Sequence, residues 1–151
     1  MFENFFNKKF KIRNKKIGDK VFIIAEAGSN HNGNLKTAFK LVDIAKNAGA
    51  DAVKFQIFKA EYLVGNNKKL LNFWKKFEFQ RSWIKKINNY CKRKNIIFLA
   101  SPFDKNAVDM LLKAGVECFK IASSETLNLD FVNYISKKKR PLIISTGICN
   151  M

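Results

Sequence analysis

Five short apolar runs recur along the chain: VFIIAE (21–26), DAVKFQI (51–57), IIFLAS (96–101), VECFKIA (116–122) and PLIIST (141–146). Each is nearly continuous in apolar residues, as expected of a strand covered on both faces in a parallel sheet. Between the runs the period changes to that of a helix. In LKTAFKLVDIAKNAG (35–49), Leu35, Ala38, Leu41, Val42 and Ala45 share one face, and Gly49 closes the segment as a C-cap. DKNAVDMLLKAG (104–115) opens on Asp104 as N-cap and closes on Gly115. Residues 80–94 and 127–140 show the same spacing. The stretch 58–79 is longer and irregular, with Gly65 and a Trp/Phe cluster, and reads as a loop with its own small pack. Residues 1–20 stand outside the rhythm as an N-terminal extension, in which FKIRNKKIG suggests a hairpin laid over one end. Strand alternating with helix predicts right-handed βαβ units and a parallel sheet covered by helices.

The polar residues choose between two such folds. A five-stranded doubly wound sheet gathers its ligand groups at one switch point. Here all five runs end on polar side chains: Glu26, Gln56, Ser101, Ser123 with Glu125, and Ser145 with Thr146. Strand ends that all contribute to one site imply a ring of strands, which is a barrel. A complete (β/α)8 barrel needs about 250 residues, and this chain has 151. The expectation is an α/β fold: a (β/α)8 TIM barrel truncated after about five strands, occupying residues 21–151.

Two lysines lie inside apolar strands, Lys54 in AVKFQIF and Lys120 in CFKIAS. A cation there is costly unless an anion meets it. Alternation places Ala52, Lys54 and Gln56 on one face and Val53, Phe55 and Ile57 on the other. If helices cover the second face, Lys54 points into the barrel. Two inward lysines with hydroxyls at Ser101, Ser123 and Ser145 describe a site for a phosphate or small polyanion. A snorkelling stem explains either lysine alone as well as an anion site does, and the pair with its hydroxyls favours the anion site. Glu26 and Glu125 end the first and fourth strands, where they could serve as base, acid or metal ligand, or merely neutralise the lysines. His31, the only histidine, sits in a turn with Asn30, Asn32 and Gly33 and reads as a loop hydrogen-bonder. Asp104 reads as a helix cap. There is no Walker loop, no GxGxxG and no zinc-helix motif, and no histidine neighbours a serine to make a nucleophilic triad.

Charge changes this picture little. The net charge is +17, which invites a nucleic-acid reading. Yet the basic residues are 25 Lys against 4 Arg, spread over the whole chain with 17 Asn and 15 Ile. Base and phosphate readers lean on the Arg fork, so the excess reads as a solvated lysine coat, with no nucleic-acid partner. No apolar run approaches the roughly 18 residues of a membrane span, so no membrane partner is expected. Cys91, Cys118 and Cys149 are widely spaced and odd in number, which favours small buried hydrophobes in a reducing cytoplasm over a disulfide or metal framework.

Taken in order, FIIAEAGSNHNGN, ADAVKFQIFKAE, FLASPFD, FKIASSE and PLIISTG resemble the N-terminal barrel of the sialic acid synthase family, over residues 20–147. The family comprises N-acetylneuraminate synthase and its legionaminate and pseudaminate relatives. The AEAG, NHNG and KFQ motifs look closer to the first two branches. The resemblance implies a cytoplasmic transferase of carbohydrate biosynthesis that condenses phosphoenolpyruvate with an N-acetyl-hexosamine such as N-acetylmannosamine. It further implies a divalent metal, Mn2+ or Mg2+, and a homodimer at full length. Lys54, Gln56, Ser101, Lys120, Ser123 and Ser145 would hold phosphoenolpyruvate, Glu125 would handle the attacking water's proton, and Glu26 would face the sugar aldehyde. The turn Ala122-Ser123-Ser124-Glu125 departs from the glycines usual in that position but keeps the serine and glutamate. By the same resemblance the metal ligands and an antifreeze-like domain lie beyond Met151, so the chain alone is expected to condense nothing. The alternatives are a non-catalytic phosphate-ligand binding module on an open α/β sheet and a basic nucleic-acid-binding fragment.

Overall fold

The computed structural model describes residues 10–18, 20–65 and 67–147. It opens with a hairpin, β1 (Phe10–Ile12) and β2 (Lys15–Ile17), paired antiparallel with Phe10 opposite Ile17. Five strands follow: β3 (Ile24–Gly28), β4 (Ala52–Ile57), β5 (Ile97–Pro102), β6 (Phe119–Ile121) and β7 (Leu142–Ile144). The helices are α1 (Leu35–Asn47), α2 (Ala60–Val64), α3 (Lys68–Lys75), α4 (Trp83–Arg93), α5 (Lys105–Lys113), α6 (Ser123–Thr126) and α7 (Leu129–Ser136).

The five strands are all parallel, in the order β3-β4-β5-β6-β7. Each new strand joins at the same edge, with none of the order reversal that a doubly wound sheet requires. One face carries the helices. Val53, Phe55, Ile57, Phe98, Ala100, Phe119 and Ile121 are buried there against Ala38, Val42, Ile84, Ile87, Val108, Leu111 and Phe131. The other face holds a smaller cluster of Ala52, Ile97, Leu99 and Cys118, which Ile12 of the hairpin enters at 1% exposure. Helices outside, a small core inside and sequential strand order make this five strands of a (β/α)8 barrel. The hairpin is tied across the strands' N-terminal ends. Lys15 pairs with Asp51, Arg13 with Glu117 at 3.0 Å, and Asp51 also accepts the Ile23 N–H at 2.8 Å.

The expected cap at Asp104 is present, accepting the Ala107 N–H at 2.8 Å, and Asn34, which the pattern left unmarked, caps α1 by accepting the Thr37 N–H at 3.1 Å. Gly49 and Gly115 follow their helices at φ 79° and 78°, the left-handed conformation that ends a helix without a Cβ clash. Two boundaries differ from expectation. The first strand runs 24–28 rather than 21–26, because its pairing with β4 begins at Ile24 opposite Ala52; Val21 and Ile23 lie before it, exposed. The stretch 58–79 is not an irregular loop. It contains α2 and α3, packed through Phe58, Trp74, Phe73 and Phe77, with Phe58 and Trp74 rings 5.9 Å apart. Helices of one or two turns leave too few repeats for a period to show.

Neighbouring helices are joined twice by the same device. Asp43 of α1 accepts the Tyr90 hydroxyl at 2.8 Å and Lys94 at 2.8 Å, and the Lys94 ammonium lies 5.2 Å from the Tyr90 ring centre. Asp109 of α5 accepts the Tyr134 hydroxyl at 2.7 Å and Lys138 at 2.8 Å, with Lys138 4.0 Å from the Tyr134 ring. Tyrosine and lysine are four residues apart in both, one helical turn. The lysine and tyrosine bonds hold each carboxyl below its usual range and raise each lysine. Cys91 and Cys118 are free and buried, and burial pushes both thiols up to about 12; Cys149 lies outside the described residues. Among the described residues no helix is long and apolar enough to cross a membrane.

Candidate functional site

The pleat turns Glu26, Lys54, Gln56, Ser101, Lys120 and Ser145 to the inner face, toward the strands' C-terminal ends. Glu26 stands opposite Lys54 in register, Gln56 opposite Ser101, and Lys120 opposite Ile143. Because Ala100 pairs with Phe119, Ser101 and Lys120 come next in step. The two lysines therefore sit near each other across the wall, over the apolar layer of Leu99 and Cys118.

Lys54 forms an ion pair with Glu26; its side chain is 11% exposed and that of Glu26 is 52% exposed. So the carboxylate expected to end its strand sits two residues inside β3 and neutralises a lysine. The ladder shifts register between Glu26 and Gly28. Gly28, at φ 53°, takes the left-handed conformation that such a bulge assigns to glycine. Among the described residues Lys120 has no carboxylate in contact. Its ammonium donates to the Ser145 hydroxyl at 2.5 Å and the Ile121 carbonyl at 2.7 Å. Burial first, then the charge of Lys54, hold Lys120 below the usual lysine range, and Glu26 opposes them. Among the described residues two cations face one contacting carboxylate, with the Ser145 hydroxyl on Lys120 and Ser101 and Gln56 on the same face, which leaves this wall electropositive and rich in donors. A phosphate or carboxylate fits that need.

Ser123 and Glu125 lie on α6, the single turn that follows β6. Ser123 faces the end of β7: a Cβ built on Gly147 would come within 3.2 Å of its Oγ. Glu125 is half-buried and, among the described residues, makes no ion pair. It is thus a carboxylate left available, unlike Glu26. The sequence reading passed over two members of this corner, Thr126 and Gly147. The Thr126 hydroxyl lies 2.7 Å from the Ser145 carbonyl and 3.1 Å from that of Ala122. A glycine directly after a strand's terminal Ser-Thr was the signal available for Gly147.

His31 belongs elsewhere. It is fully buried on the helix side of the sheet, with ring centres 5.4 Å from Phe79 and 5.7 Å from Trp83. Its Nδ1 accepts the Gly33 N–H at 3.1 Å, Nε2 has no partner among the described residues, and burial holds its pKa below the usual value. Gly33, at φ 68°, leaves no room for a Cβ, which would fall 2.7 Å from the Lys76 carbonyl oxygen. The loop is therefore a structural pack around an imidazole. Asp104, besides capping α5, pairs with Arg81 at 2.5 Å, which pins the turn after β5. Among the described residues no three of His, Cys, Asp and Glu come together.

The fold defines a class: five strands of a (β/α)8 barrel, with polar and charged side chains gathered at the strand ends. The model of the NeuB family matches residues 41–151, so the chain belongs to the NeuB family. It is 40% identical to the N,N'-diacetyllegionaminic acid synthase of Campylobacter jejuni over 146 residues, 87% of this chain and 44% of that protein. It is 39% identical over 151 residues to the spore coat polysaccharide biosynthesis protein SpsE of Bacillus subtilis, 91% of this chain and 40% of that one. A solved structure, the N-acetylneuraminic acid (sialic acid) synthetase of Leptospira borgpetersenii serovar Hardjo-bovis in complex with citrate, superposes with a TM-score of 0.90. It is 37% identical and covers 95% of this chain and 51% of that one. The chain thus spans about half or less of the length of the relatives it matches.

Proposed function

We propose that this chain supplies the phosphoenolpyruvate-binding wall of a nonulosonic (sialic-type) acid synthase. The observation that carries the reading is Lys120: a cation on an inner strand wall, paired with a serine hydroxyl and, among the described residues, with no carboxylate, beside a second lysine. Lys54, Lys120, Ser101, Ser123, Ser145 and Gln56 hold the phosphate and carboxylate of phosphoenolpyruvate by position and charge. The acceptor is an N-acetyl-hexosamine aldehyde, as the relatives' named activities support.

In the condensation, the C2–C3 π electrons of phosphoenolpyruvate form a bond from C3 to the aldehyde carbon, whose oxygen takes a proton. Water adds to the cationic C2 and gives up a proton, for which Glu125 is the available base. The C2–O bond to phosphate then breaks as the C2 hydroxyl becomes the ketone and its proton passes to the departing phosphate, leaving the 2-keto acid and inorganic phosphate. The lysines neutralise the phosphate as it departs, and Glu26 orients Lys54 while its exposed edge meets the aldehyde side. Among the described residues no three of His, Cys, Asp and Glu come together, so the divalent metal that the family resemblance implies would need further ligands besides them, and no step here is assigned to it. The same reading carries a cytoplasmic enzyme that works as a homodimer.

The test is phosphate release from phosphoenolpyruvate and N-acetylmannosamine by the protein that carries this wall. Lys54→Ala should raise the KM for phosphoenolpyruvate, and Glu125→Gln should lower kcat by about 100-fold or more at little changed KM. Full turnover in both variants would overturn the assignment.

A further inference from the structure

The Ser123 corner is held by two residues that touch no ligand in the reading above. Gly147 is the first. Its φ is not among the positive values of the chain's glycines, so its backbone suits any residue. What a side chain would disturb is its neighbour: a Cβ there would meet Ser123 Oγ at 3.2 Å, so that atom would have to shift by a few tenths of an ångström, and Ser123 Cβ at an ordinary 3.9 Å. The first distance is tighter than ordinary contact, and the atom that must yield is a hydroxyl free to rotate. Thr126 is the second. Its hydroxyl reaches the Ser145 carbonyl at 2.7 Å, and so joins the turn bearing Ser123 to the strand end bearing Ser145. The Ser145 N–H is itself bonded to the Ile121 carbonyl at 3.1 Å, which fixes the other side of that strand end. Ser145 in turn receives Lys120 at 2.5 Å.

We infer that Gly147 and Thr126 are positioning residues: together they set the Ser123 hydroxyl against Ser145 and Lys120, so that all three converge on one anion oxygen cluster. The inference rests on the phosphoenolpyruvate reading of this wall. Gly147 acts by leaving the Ser123 rotamer undisturbed. Thr126 acts by fixing how far α6 stands from β7.

The test is calorimetric titration of the full chain with phosphoenolpyruvate, beside thermal melting of each variant. Ser123→Ala gives the reference loss. Gly147→Ala should weaken binding by about as much as Ser123→Ala, near tenfold for one lost charge-assisted hydrogen bond, with an unchanged melting temperature. In a Ser123→Ala background, Gly147→Ala should add nothing, because the hydroxyl it displaces is gone. Thr126→Val should weaken binding about fivefold, and Thr126→Ser should restore it, since serine keeps the bond to Ser145. Additive losses from Ser123→Ala and Gly147→Ala, or a Thr126→Ser variant as weak as Thr126→Val, would overturn the inference while leaving the ligand reading intact. A wild type that binds phosphoenolpyruvate while Ser123→Ala loses nothing would overturn it too. A wild type that binds none would remove the reading and the inference together. If Gly147→Ala fails to fold, the two Thr126 variants decide.

Discussion

Charged side chains on the outside of the sheet and those on its inside are held differently. Outside, Asp43 and Asp109 each meet one lysine and one tyrosine from the next helix. Every group in these two clasps has a partner of opposite sign or a hydrogen bond, and the helices gain a fixed spacing. Inside, among the described residues, Lys54 meets one carboxylate, Glu26, while Lys120 meets none and leans on a hydroxyl and a carbonyl instead. The carboxyls of the clasps are held below their ordinary range, so their charge favours the fold. Lys120 is held below its own range, so its charge opposes the fold. A family of charges that satisfies itself builds structure, and one that does not waits for a ligand.

The largest expected effect that tests this contrast comes from Lys120→Met. Phosphoenolpyruvate affinity should fall about 30-fold or more with the loss of a charged donor, while the unliganded protein melts no lower than wild type. The sign follows from linkage. A lysine whose folded pKa is depressed binds fewer protons in the native state than in the unfolded one, so stability rises with pH up toward its unfolded value, 10.5. Melting of the unliganded wild type across that alkaline window should therefore climb through the Lys120 contribution, and the variant should lack that part of the climb. The raised lysines of the clasps work at higher pH: their contribution is complete below 10.5 and disappears as pH passes their folded values. A variant that lost stability along with affinity would show Lys120 to be a structural cation, and the contrast would fail.

Next in size is the removal of one hydroxyl from a clasp. Tyr90→Phe and Tyr134→Phe should each cost about 1 kcal/mol of stability, read by denaturant unfolding. The two clasps share no residue, so the losses should add. Phosphoenolpyruvate affinity should not move in either variant. A change in affinity would mean that helix spacing on the outside controls the inner wall.

The smallest effect is on the acid side. Asp43 and Asp109 have depressed pKa values, so their contribution is present above 3.8 and is lost as pH falls through their folded values. The gap in melting temperature between wild type and the Tyr90→Phe, Tyr134→Phe double variant should narrow below that pH. A gap that stays constant into strong acid would show that the tyrosines act by packing alone.

Much of the fold was legible from spacing. The five apolar runs are the five strands, to within a few residues at each end. Asn34, a cap the pattern left unmarked, and Asp104, one it marked, both begin helices. Alternation put Lys54 and Gln56 on the inner face correctly, because a strand's period is two and its helix-covered face is unmistakably apolar. The hairpin of residues 10–17 was suggested by its isolation from the rhythm. What the pattern missed depended on distance in space. α2 and α3 are too short to show a period. The pairing of Glu26 with Lys54 joins positions 28 apart through the register of two strands. The clasps join Asp43 to Tyr90, 47 apart, and no local rule connects those residues.

The sequence by itself determined that this is a parallel α/β chain with polar strand ends, and, through its motifs, which family it belongs to. Those properties are local: side-chain period, caps and short runs of residue type. Only the tertiary structure decided which charges are satisfied. Glu26 became a partner of Lys54, Glu125 stayed without an ion pair among the described residues, and His31, the expected loop hydrogen-bonder, proved to lie in an aromatic pocket behind the sheet. Strand register and the closeness of β7 to the β6 turn made those choices, because an electrostatic or hydrogen-bonding partner is set by a separation of a few ångströms that no spacing along the chain encodes.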